Sequence, residues 1–324
     1  MAALSYRMLG GLQELAGTPT YKAWLLDQFG VLHDGRKPYP GAIATLECLA
    51  STGAKLLLLS NSSRRSEVTK NKMSELGFDP GLFAGIITSG ELTHDHLLMR
   101  RDPWFARLGK RCLHMTWSAR GAISLEELDL EVVEKPELAD FILVHGTEAL
   151  GTSHGSPKPA TLEQLREFLE VGMKYNLPMI VANPDVVTVE ARELRAMPGK
   201  SSCCWLFSQL VVTRARCPGM LGLEYEKLGG DVRWMGKPDP VIYRAAQTIA
   251  NVAPSCCIAV GDSLAHDIKG AQAAGIQSVF VAAGIHAGEL QIENIGDKPS
   301  PDALKSVLHN HGSDPSYVIP MFSW

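Results

Sequence analysis

Five short apolar runs, each leading toward a helix-favouring stretch, constrain this chain more than any other feature. They are AWLL running into Asp27 (23–27), KLLLLS (55–60), GIITSG (85–90), CIAVGDS (257–263) and QSVFVAAG (277–284). Each reads as a strand, and the continuous apolar runs of the first two as buried ones. Among the helix-favouring stretches are AIATLECLAS, with Ile43, Leu46 and Leu49 at helical spacing, and the polar RRSEVTKNKMSELG, then VIYRAAQTIANV and DIKGAQAAG. Alternating strand and helix predict βαβ units, and so an α/β fold with a doubly wound, Rossmann-like parallel sheet.

The middle of the chain repeats the alternation on its own account. Cys112–Thr116, Asp140–Val144 and Pro178–Ala182 are candidate strands. TLEQLREFLEVGMKYN is a helix with Leu162, Leu165, Phe168 and Leu169 as its apolar stripe. The grammar of the first domain then resumes near Leu221. The expected organisation is a core of residues 1–90 and 199–324 interrupted by an inserted α/β cap at 91–198. Residues 200–220, with Cys203, Cys204, Trp205 and the β-type run FSQLVV, fit neither neighbour and are read as an insertion of uncertain order. Leu9, Leu12 and Leu15 predict a short amphipathic helix, and the tail SYVIPMFSW is apolar enough to dock on the core.

The net charge of -4 and the lack of a long basic run leave no footprint for nucleic acid or an anionic membrane surface. No apolar run approaches the ~18 residues of a membrane span. The N-terminus shows neither a signal peptide nor the Arg- and Ser-rich composition of a transit peptide, so a soluble, cytoplasmic protein is expected. Seven cysteines without a CxxC pair read as reduced thiols, not as a disulfide framework or structural zinc site.

Chemistry-bearing residues gather where predicted strands end: Asp27 with Phe29-Gly30, Ser60-Asn61, Gly236-Lys237-Pro238, and Gly261-Asp262 through Asp267. In a doubly wound sheet such ends converge on one crevice. An anionic substrate there would meet a hydroxyl, an amide, an ammonium and helix N-termini. Asp27, Asp262 and Asp267 would repel one another unless a cation lay between them, and Mg²⁺ suits because it takes one or two carboxylates plus phosphate oxygen and water. Each residue also has a plain reading: Asp27 as a turn residue, Lys237 as a loop lysine, Asp267 as a helix-dipole partner.

Taken in order, these four motifs resemble the haloacid dehalogenase superfamily. The insertion between the second and third resembles the cap of its subclass IIA, together with Gly35, Asn183-Pro184-Asp185 and Leu228-Gly229-Gly230. The resemblance runs from about Tyr21 to Gly284. Its relatives include 4-nitrophenylphosphatase-like, phosphoglycolate, pyridoxal-phosphate and nucleotide phosphatases. It implies Asp27 as the nucleophile that forms an aspartyl-phosphate, and Ser60, Asn61 and Lys237 as contacts to the phosphoryl group. Asp27, Asp262 and the Phe29 carbonyl would bind Mg²⁺, with Asp267 beside them. A small phosphorylated metabolite is the implied partner, and a homodimer through the cap is compatible with the resemblance.

The first motif departs from the phosphatase form at Phe29, where a second Asp serves as general acid and base. Losing such a group costs roughly 10²–10⁴-fold in rate. Three readings follow. One is a Mg²⁺-dependent phosphatase for good leaving groups, or one that borrows another acid such as His33. Another is a weakly active or inactive relative that binds a phosphorylated ligand. The third is a dehalogenase-like hydrolase, since dehalogenases also carry an aromatic residue there but use no metal. His33 reads more readily as a turn or surface histidine. Ser63, Arg64 and Arg65 are candidate phosphate contacts or solvated residues. Asn183 and Asp185 read as crevice residues or a turn, and Lys158 as a loop lysine.

Overall fold

Ala23–Leu26 lies inside a seven-stranded sheet whose order is Arg7–Met8, Tyr317–Ile319, Gln277–Val281, Cys257–Gly261, Ala23–Leu26, Lys55–Ser60 and Phe83–Thr88. Every neighbouring pair is parallel. The computed structural model describes residues 6–118, 123–153, 155–186, 188–191, 210–213 and 217–324. Side chains of the central strand alternate between two cores. Trp24 and Leu26 pack with Leu46, Leu49 and Met73, while Ala23 and Leu25 pack with Ile242, Tyr243 and Ala246. Helices Ala42–Ser51, Ser66–Glu75 and Pro240–Ala250 supply those partners, so both faces are covered, as the continuous apolar runs predict. Each large side chain so buried stabilises by about 2 kcal/mol. Packing, not strand propensity, holds these four residues in place.

A second sheet is inserted after Phe83–Thr88 and the helix Ser89–Met99. Its order is Val232–Trp234, Met179–Val181, Phe141–Val144, Arg111–Thr116, Ala149–Leu150 and Lys158–Pro159, with Glu131–Val132 on a side branch. The first four strands are parallel, and the helices Leu162–Lys174 and Pro218–Lys227 cover one face. This is the cap.

Three expectations change. The cap does not end at 198: Val232–Trp234 pairs with Met179–Val181, and Leu221 and Tyr225 are fully buried in the cap's core. Strand–helix alternation cannot tell which sheet a strand joins, and the Tyr225 hydroxyl, donating to Leu177 O at 2.7 Å, ties its helix to the cap. The N-terminal segment forms only the short helix Gln13–Ala16, because its backbone is drawn to the tail: Leu9 N donates to Val318 O and Leu12 N to Ser323 O. The tail itself becomes a full strand of the core sheet. Of the segment 200–220, Leu210–Thr213 pairs antiparallel with Thr188–Ala191. Cys203, Cys204, Trp205 and the start of FSQLVV lie outside the described residues. Among the described residues no helix is long and apolar enough to cross a membrane.

Candidate active site

The switch point of the core sheet falls at Ala23–Leu26, where chain order runs outward in both directions. Asp27 follows at once, its N–H donating to Val260 O at 2.9 Å. The chain then turns sharply: Leu32 N and His33 N both donate to Gln28 O, and Gly30 N to His33 O. This small bridge leaves the Phe29 carbonyl out. Gly30 has φ +82°, and a Cβ there would lie 1.9 Å from Asp262 Oδ2. Glycine is required both for the left-handed turn and for the approach of that carboxylate.

Four charged side chains meet in the crevice. Lys237 Nζ donates to Asp27 Oδ1 and to Asp267 Oδ1, each at 2.7 Å, and all three groups are buried or nearly so. Asp262 Oδ2 accepts from Ile285 N at 2.7 Å and Asp267 Oδ2 from Ser263 N at 3.1 Å. Oxygens of Asp27, Asp262 and Asp267 lie within 4.8 Å of one another. Burial pushes the Asp27 carboxyl up to about 7; Asp267 adds to the rise, and Lys237 opposes it. Burial, then Asp27 and Asp267, pushes Asp262 well above the carboxylate range. Burial alone would depress Lys237, but Asp267 and Asp27 hold its ammonium well above the usual range. Three carboxylates against one ammonium leave excess negative charge in a buried space. That donor set fits a hard divalent cation, with the Phe29 carbonyl as a further oxygen.

Ser60 ends its strand with Oγ accepting from Gln28 Nε2 at 2.7 Å and from Ser62 N at 3.2 Å. Both contacts are accepted, so the hydroxyl's own proton is left to donate to an incoming oxygen. Asn61 behaves differently from the substrate contact expected of it. Its Oδ1 accepts from Lys237 N at 2.7 Å, and its Nδ2 donates to Lys237 O at 2.9 Å and Asp185 Oδ1 at 2.8 Å. Both amide hydrogens are engaged, which makes it a clamp on the lysine's backbone.

The secondary candidates scatter. His33 Nδ1 accepts from Gly35 N at 3.0 Å, and its ring packs against Phe29 and Phe78. Burial lowers it to about 4, so it is a neutral turn histidine and not a substitute acid. Arg65 is held by Glu91 through two hydrogen bonds, and Ser63 Oγ accepts from Trp117 Nε1. Lys158 pairs with Glu134 on the cap surface. Gln28 was not singled out by sequence, although its place in the first motif was a signal.

Elsewhere, His286 Nδ1 and His311 Nε2 flank the Glu289 carboxylate at 2.8 and 2.9 Å. Leu264 N donates to His286 Nε2, so the ring's proton sits on Nδ1 and points at Glu289. A ligating imidazole needs the opposite arrangement. The trio is a brace between the loops of Ile285 and Leu264. Sequence gave no hint of it, since 22 residues separate Glu289 from His311.

Comparison with known proteins agrees with this architecture. Residues 24–131 match the family model described as haloacid dehalogenase-like hydrolase, and residues 234–295 a second HAD-hydrolase-like model. The acid sugar phosphatase of Staphylococcus aureus is 23% identical over 87% of this chain and 92% of its own length. A haloacid dehalogenase-like hydrolase from Brucella suis superposes with a TM-score of 0.67 at 25% identity, covering 97% of this chain and 99% of that one. The p-nitrophenyl phosphatase of Archaeoglobus fulgidus gives 0.63 at 21% identity over 94% and 97%.

Proposed function

This chain belongs to the haloacid dehalogenase superfamily, and from that premise we propose a subclass IIA, Mg²⁺-dependent phosphatase of small phosphorylated metabolites. The observation that carries the reading is Lys237 bridging Asp27 and Asp267 beside Asp262 at the sheet's switch point. Lys237 occupies Asp27 Oδ1 and leaves Oδ2 to attack phosphorus. The new bond joins that oxygen to phosphorus as the ester oxygen departs, and water later cleaves the aspartyl-phosphate. Ser60 donates to a phosphoryl oxygen, and Lys237 offsets charge there while fixing Asp27. Mg²⁺ held by Asp27, Asp262, Asp267 and the Phe29 carbonyl would, when bound, neutralise phosphoryl charge. Sugar phosphates are the first substrates to try, given the acid sugar phosphatase relative.

Phe29 favours a second reading: a ligand-binding relative with little turnover, because the departing oxygen has no carboxylic acid to protonate it. A cytosolic setting belongs to the proposal, on the reading of the cysteine spacing as reduced thiols. Phosphate release from a panel of phosphometabolites, with and without Mg²⁺, tests all of this. Asp27→Asn is expected to lower turnover by roughly 10³-fold or more. Substantial turnover in that variant would remove Asp27 as nucleophile. Mg²⁺-dependent ligand affinity without phosphate release would favour the second reading.

A further inference from the structure

The loop Asn183-Pro184-Asp185, just past the cap strand Met179–Val181, is where the cap touches the machinery around Lys237. Asn183 Oδ1 accepts from Asp185 N at 3.0 Å, which closes a tight turn. Gly219 N, at the start of the helix Pro218–Lys227, donates to Asp185 O at 3.1 Å. A Cβ on Gly219 would lie 2.3 Å from Pro184 O, so backbone packs directly on backbone and fixes the turn. From this mount Asp185 Oδ1 reaches into the core. It accepts from Asn61 Nδ2 at 2.8 Å and lies 4.0 Å from His266 Nδ1.

Asn61 is the same amide that brackets Lys237 on both its N–H and its carbonyl. His266 directly precedes Asp267 in the chain. One cap carboxylate therefore stands a single amide from the lysine. Turning the Asn61 amide over would face N–H against Lys237 N–H, and oxygen against both Lys237 O and the Asp185 carboxylate. A hydrogen bond to a charged acceptor is about twice as strong as a neutral one, so Asp185 adds heavily to the preference for the observed orientation.

We infer that Asp185 is a positioning residue: the seated cap supplies the carboxylate that orients Asn61, and Asn61 in turn sets Lys237 between Asp27 and Asp267. The inference rests on the phosphatase reading and adds a link by which the cap assembles the site. The bond from Asn61 Nδ2 to Asp185 does this without touching substrate.

Steady-state phosphate release at saturating Mg²⁺ tests it, with 4-nitrophenyl phosphate and a bulkier ester from the panel. Asp185→Ala is expected to lower kcat about tenfold on both, the scale of one lost charge-assisted hydrogen bond, with KM changed less than about twofold. Asp185→Asn keeps an oxygen that accepts from Asn61 and should recover most of kcat. A loss confined to KM for the bulkier ester, or unchanged kcat in Asp185→Ala, would overturn the inference. Wild-type protein without phosphate release would instead defeat the phosphatase reading. A second measurement holds in either case: urea midpoints of Asp185→Ala, Asn61→Ala and the double variant. The double variant should lose less than the two single losses together, and additive losses overturn the link.

Discussion

Phe29 is the residue on which the proposed activity turns. Its ring lies edge-on to His33 with centroids 6.2 Å apart, and it stands two residues after Asp27, where the phosphatase form of the motif has its acid. Phe29→Asp should therefore raise turnover by roughly 10²–10⁴-fold on esters with poor leaving groups, and little on 4-nitrophenyl phosphate, whose leaving group needs no proton. Loss of the aromatic contact costs about 1 kcal/mol, so the variant should also melt a few degrees lower. Phosphate release across both ester types checks this, and no gain on the poor leaving groups would show that the missing acid does not limit the protein. Sequence made Asp27, Ser60, Lys237, Asp262 and Asp267 visible because each stands at a fixed place in a strand-end motif. Asn61 was visible as a member of the site but not as a clamp, since its partners Lys237 and Asp185 come from distant parts of the chain. The burial that makes His33 a poor acid depends on Phe78, which no local pattern connects to it.

At the scale of elements, strands were the most legible part. Lys55–Ser60 is bounded as the apolar run predicts, and Phe141–Val144 and Met179–Val181 fall within the ranges expected of them. Apolar continuity specifies a doubly covered strand locally, whereas sheet membership is decided by packing far away. That is why Val232–Trp234, within a stretch read as core, pairs in the cap sheet instead. The turn after Ala23–Leu26 shows how tightly one element serves another. A Cβ at Gly30 would meet Asp262 at 1.9 Å in a backbone conformation that L residues resist. Gly30→Ala should displace Asp262, weaken Mg²⁺ binding by about tenfold or more, and lower the Tm by several degrees. Titration calorimetry with Mg²⁺ alone reads the first effect. Unchanged affinity would show that Asp262 is not a ligand.

Across the whole molecule, buried histidines and buried carboxyls act on the response to acid in opposite senses. Burial lowers His33 and His114 to about 4, and His145, with Nδ1 3.0 Å from His114 Nε2, falls well below its usual value. A base whose pKa is depressed on folding binds fewer protons in the folded chain than in the unfolded one. The histidines' contribution to stability is therefore full above about 6.5 and declines as pH falls toward 4, by about 3 kcal/mol for each of His33 and His114, while the raised Asp27 and Asp262 carboxyls act in the opposite sense. His33→Asn, whose side-chain oxygen can still accept from Gly35 N, should flatten that decline by one proton's worth. Urea midpoints measured from pH 7.5 to 4.5 would reveal it, and an unchanged slope would mean that His33 is not titrating in this window. The path of the chain between the two sheets carries a mechanical consequence. Val232–Trp234 is the edge strand of the cap, and only Met235-Gly236 separates it from Lys237. A cap turning on this short tether would have its pivot beside the lysine, so displacement would grow with distance from the ammonium. The far edge at Lys158–Pro159 could sweep a wide arc as on a lever arm, opening a broad mouth for substrate while the charged centre barely shifts.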